Sequence, residues 1–202
     1  MPEHLRLRQL SYAVVFGTLW GTVEMTAGGL LHALHVPFSG ILLAAVGAAI
    51  LACQRALCPV RGITITTGCL AAGIKIFSMG GVYLNPLVAV LMEALLAECI
   101  FSLFGASFVA AGLAGFLMGL WSFAQGLLTL VLLYGIHWIE ASASALSREA
   151  PSLPVSPVVL LFLAVLLLVS LPASGGVLGL WSARRFQGAV PGRTFGLGRE
   201  NA

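Results

Sequence analysis

Chemistry in this chain would have to come from a handful of polar side chains set in apolar surroundings. They are Glu24, Lys75, Glu93, Glu98, Asn85, Trp121 and Gln125. Lys75 is the only lysine, and there is no aspartate. A carboxylate near the centre of a bilayer costs about 2.5–3.5 kcal/mol on insertion scales, so each acid needs a partner, a proton or a ligand. One ammonium cannot neutralise three acids. At least one of Glu24, Glu93 and Glu98 is therefore expected to be protonated, solvated or paired outside the chain. Lys75 and Glu93 fall on consecutive spans forming an antiparallel hairpin, which puts a Lys75–Glu93 pair within reach of the long lysine side chain. Such a pair either fixes helix packing or lines a ligand cavity open to the outside, or one of the acids carries a proton. Glu98 lies about 140° around its helix from Glu93, and is expected to serve a different contact, with a helix of another subunit.

Trp121 and Gln125 stand four residues apart, with Ser122 and Thr129 nearby. A flat indole beside an amide donor and acceptor suits a heteroaromatic ligand; the same pair also serves helix packing. Asn85, beside Gly80-Gly81, caps a helix or touches a ligand. His32 and His35 are three residues apart and lack a third ligand, so no metal site is assigned. Cys53, Cys58, Cys69 and Cys99 form no CxxC pair and read as small apolar side chains. No Walker A, GxSxG or HExxH motif occurs, which argues against an enzyme and gives no reason to expect a cofactor.

The elements that position these groups follow from composition. Of 202 residues, 59% are hydrophobic and 8% charged, with a mean hydropathy of +1.04. That composition is polytopic membrane protein. Six spans are expected, near 9–34, 39–55, 62–78, 86–104, 106–140 and 157–181, giving an all-α bundle over 1–182 and a flexible basic tail over 183–202. The stretch 106–140 is too long for one straight crossing, and is either one bent helix or two. Six spans place Arg6, Arg8, Arg55, Arg61, Arg184, Arg185, Arg193 and Arg199 on one side and Arg148 on the other. By the positive-inside rule both termini are then cytoplasmic. The net charge of +3 reports topology and gives no sign of nucleic acid. Trp20 and Glu24 interrupt the first apolar run and no clear cleavage site follows it, so it is read as a span and not a signal peptide.

On the first span, Ala13, Gly17, Trp20, Gly21, Glu24 and Gly28 share an arc of roughly 100°. Ala13-x-x-x-Gly17-x-x-x-Gly21 is a small-xxx-small pattern that lets helix backbones approach closely. Gly112, Gly115 and Gly119 mark another such contact, and Pro172 is expected to interrupt the last span.

With its size, span count and this small-residue face, the chain resembles the substrate-binding S components of energy-coupling factor (ECF) transporters. The run KIFSMGGVYLNPLVAVLMEALLAE, Lys75–Glu98, looks like that family's third helix, outer loop and fourth helix. The resemblance implies capture of a vitamin-like micronutrient from outside, with Glu24, Lys75, Asn85, Glu93, Trp121 and Gln125 around it and His35–Gly40 helping to close the site. It also implies a membrane coupling subunit docked on Ala13, Gly17 and Gly21, two ABC-type ATPases, and a bacterial cytoplasmic membrane. A self-sufficient proton-coupled permease and a structural membrane subunit are the alternative readings.

Overall fold

The computed structural model describes residues 3–34, 36, 38–77, 84–135, 137, 144 and 157–189. The described residues form six principal helices: α1 Glu3–Ala33, α2 Ser39–Leu57, α3 Ile63–Ile76, α4 Leu84–Phe104, α5 Phe108–Tyr134 and α6 Pro157–Ala189. The fold is an all-α bundle, as the composition predicts. Five of these helices are long and apolar enough to cross a membrane; α3 is the exception. Its 14 residues span about 21 Å against a hydrocarbon core of about 30 Å.

Helix α2 is the centre of the bundle and packs against all five others. Around it the neighbours run α1, α3, α4, α5 and α6. The core, including Trp20, Ala48, Leu51, Val90, Phe101, Ala114, Met118 and Leu180, is built around α2. Large apolar side chains such as Val15, Leu103, Val109, Leu132 and Leu167 point outward, the arrangement expected where lipid is the solvent.

Small residues set the closest approaches. A Cβ on Gly17 would come within 2.8 Å of Leu70 Cβ, and one on Gly21 within 2.9 Å of Ile74 Cβ. Ala13 is buried beside Cys58 and Ile63. The Ala13–Gly17–Gly21 face expected to dock a separate subunit is thus taken up by α3 and the turn before it. Gly175 and Gly179 face the Ala45 and Ala49 carbonyls of α2, while Gly115 and Gly119 face Pro172.

Two expectations about length change. The stretch from Phe108 to Tyr134 is one helix that begins after Gly105-Ala106-Ser107, where the Ser107 hydroxyl accepts the Ala110 N–H. The end of the expected 106–140 segment, with Glu140, lies outside the described residues. Helix α6 continues through Pro172 and reaches Ala189, past the expected start of the tail. Arg184 donates to the Ala106 carbonyl at 2.9 Å and Gln187 to the Ala56 carbonyl at 3.2 Å, which hold this end of α6 to its neighbours. Residues 190–202 lie outside the description.

Candidate functional site

Connectivity brings the described arginines Arg8, Arg55, Arg61, Arg184 and Arg185 to one end of the bundle. Lys75, Asn85 and Gln125 lie toward the opposite end. The basic end is an interlocked turn. Arg55 and Glu98 form a buried ion pair at 3.2 Å, with side chains 5% and 7% exposed. Glu98 also accepts the Gly62 N–H at 2.8 Å, the Thr64 N–H at 3.1 Å and the Ser102 hydroxyl at 2.6 Å. It therefore caps the N-terminus of α3, where backbone donors have no intrahelical acceptor. Arg55 further donates to the Val60 and Phe101 carbonyls at 2.5 and 3.2 Å, closing the C-terminal end of α4. The expectation that Glu98 reaches another subunit is corrected: its partners are in this chain. The second cation is Arg55, which the sequence marks only as one of the arginines on the cytoplasmic side.

At the other end, Lys75 pairs with Glu24 of α1, not with Glu93. The physical reason is the α1–α3 contact through Gly17 and Gly21, which carries Glu24 to the level of Lys75 one turn further on. Glu93 is buried within α4, close enough for the charges of Glu24 and Lys75 to act on it.

Above this charged floor lies a cavity of about 350 Å³, at the lower end of the range of small-molecule sites. Lys75, Asn85, Ser39, Ser122, Gln125 and Thr129 supply its polar wall; Phe38, Ile41, Pro86, Ala89 and Leu130 supply the apolar one. Four helices and the turn before α2 contribute. Asn85 lies in the first turn of α4 and ties it to α5. The Gln125 amide donates to the Asn85 backbone carbonyl at 2.6 Å and to Asn85 Oδ1 at 2.5 Å. Asn85 Nδ2 donates to Thr129 Oγ1 at 2.8 Å, and Thr129 donates to the Gln125 carbonyl at 2.8 Å.

Of the six expected substrate-site residues, the cavity wall brings together Lys75, Asn85 and Gln125. Glu24 stands behind Lys75 as its counter-ion, Glu93 lies one helical turn below the lining residue Ala89, and Trp121 is outside the lining. Among the described residues the aromatic group at the cavity is Phe38. It precedes α2 with φ 54° and ψ 27°, the one positive φ of a non-glycine residue among those described. Its ring stacks on Phe123 with centroids 5.5 Å apart and planes 25° apart. The loop containing Phe38 was legible as a loop; that it would present an aromatic face was not, because Trp121 offered the more obvious one. His35 lies outside the described residues, and no cluster of three His, Cys, Asp or Glu suited to a metal occurs among those described.

Fold and composition define the class: this is a multi-pass helical membrane protein. Compared with known proteins, the chain matches no family model, no curated protein and no solved structure.

Proposed function

We propose that this protein captures a small, vitamin-like micronutrient in the Lys75–Asn85–Gln125 cavity, as the substrate-binding component of an ECF-type importer. In this reading the arginine-rich end faces the cytoplasm of a bacterium, by the positive-inside rule, and the cavity opens toward the outside. A separate membrane coupling subunit and two ABC-type ATPases supply the energy, and the chain itself catalyses no reaction. The observation that carries the reading is a cavity of about 350 Å³ lined by polar side chains from four helices, at the end away from the arginines. A bundle that served packing alone would gain stability from filling that space with apolar side chains. Because Gly17 and Gly21 are occupied by α3, the coupling subunit meets a surface other than that face.

The test is gentle purification of the tagged protein from its own host, followed by mass spectrometry of what accompanies it. Two ABC-type ATPases and a second membrane protein are the expected companions. Recovery without them, together with uptake by the protein alone in liposomes under a pH gradient, would replace this reading with the permease.

A further inference from the structure

The cavity wall also carries information about its occupant. Gln125 and Asn85 each spend about half of their side-chain hydrogen-bonding capacity on each other and on Thr129. An amide has two N–H donors and a carbonyl acceptor. Gln125 Nε2 gives its hydrogens to the Asn85 backbone carbonyl and Oδ1, which leaves Gln125 Oε1 as an uncommitted acceptor. Asn85 Nδ2 gives one hydrogen to Thr129, which leaves its second as an uncommitted donor. An acceptor and a donor thus stand on neighbouring, mutually locked amides of one wall. The lock removes rotamer freedom before any ligand arrives, so little ordering remains to oppose binding.

Three further features narrow the ligand. The Phe38 ring at the wall, stacked on Phe123, gives a flat apolar surface suited to a planar ring. The volume of about 350 Å³ limits the ligand to a small one. Among the described residues Lys75 is the only charged side chain of the lining, and its charge is matched by Glu24. An anionic ligand would have to compete with that carboxylate.

We infer that the cavity recognises an uncharged, planar nitrogen heterocycle through a lactam edge, an N–H beside a C=O. The lactam N–H donates to Gln125 Oε1 and its carbonyl accepts from Asn85 Nδ2. Such an edge is itself a donor beside an acceptor, the complement of the pair that these hydrogen bonds fix in one orientation. This rests on the reading of the cavity as a ligand site, and adds the chemistry that the ligand must show.

The test uses the purified full-length protein in detergent and four defined probes: hypoxanthine, 1-methylhypoxanthine, uracil and orotate. Binding is read by saturation-transfer NMR and calorimetry. Hypoxanthine or uracil is expected to bind. N1-methylation, which blocks the lactam donor, weakens hypoxanthine at least tenfold, and the carboxylate of orotate weakens uracil by at least as much. Gln125→Met removes the preference for the unblocked edge; the methylated probe on the unaltered protein makes the same test without any risk to folding. Failure of both unblocked heterocycles to bind, equal binding of the methylated compound, or tighter binding of orotate overturns the inference. A different small molecule co-purifying with the protein while both heterocycles fail would overturn the lactam edge alone and leave the capture reading standing. Heterocycle binding without any ATPase in the host complex would do the reverse.

Discussion

Removing Arg55 should cost the fold more than any exposed arginine could. The guanidinium and the Glu98 carboxylate are both almost fully buried and 3.2 Å apart. Taking away one member of such a pair leaves an uncompensated buried charge and costs about 3–5 kcal/mol, against about 0–1 kcal/mol for a solvent-exposed pair. Arg55→Met belongs at the lower end, about 3 kcal/mol, because Glu98 keeps its bonds from Gly62, Thr64 and Ser102. Glu98→Ala belongs at the upper end, about 5 kcal/mol, because it strands Arg55 and also uncaps α3. The single variant Glu98→Gln and the double variant Arg55→Met/Glu98→Gln complete a cycle with Arg55→Met; the double removes both charges and should recover most of the loss, since the two sites share one network. Equilibrium unfolding in mixed detergent–SDS micelles, followed by tryptophan fluorescence, gives each value and closes the cycle. Additive single effects, or an Arg55→Met variant within about 1 kcal/mol of the unaltered protein, would mean that this end of the bundle is wet and that the buried network is not what holds α2, α3 and α4 together.

Other consequences are equally direct. Lys75→Met strands Glu24 (4% exposed) and should lower thermal stability sharply, with Glu24→Gln in the same chain restoring much of it; a double variant no better than the single one would refute the pairing. Gly17→Leu and Gly21→Leu should destabilise the isolated protein by at least the 1–3 kcal/mol typical of overpacking, since each new side chain meets α3; melting points equal to those of the unaltered protein would place that face outside the bundle. Burial pushes the Cys58 thiol up, although the charges of Arg8 and Arg55 pull it down. Its thiolate fraction at neutral pH is therefore small, and N-ethylmaleimide should modify it slowly and faster as pH rises, whereas labelling as fast as a free thiol at pH 7 would contradict its burial.

The all-α class was readable because long apolar runs admit little else in a membrane. The small-residue arc of α1 was equally readable as a face turned away from lipid. Which helix it meets was not, because periodicity identifies a face without identifying its neighbour. That one unknown carried through to the site. Once α1 lies on α3, Glu24 displaces Glu93 as the partner of Lys75. The same limit hid Arg55: a basic residue at a helix end reads as solvated until α4 brings Glu98 beside it. Asn85 and Gln125 were found as separate candidates, and the structure adds their mutual lock. Phe38 was hidden for a different reason. Its ring reaches the wall through a left-handed backbone conformation that phenylalanine rarely adopts and sequence does not announce.

The central claim is that the cavity bounded by Lys75, Asn85 and Gln125 holds a small molecule. Native mass spectrometry of the freshly purified protein, beside an Ala89→Trp variant that fills the cavity from α4, tests it most directly. A bound small molecule should be released on activation from the unaltered protein and none from the folded variant. The same adduct on both proteins, or no adduct on the unaltered protein even after incubation with a host metabolite extract, would contradict it.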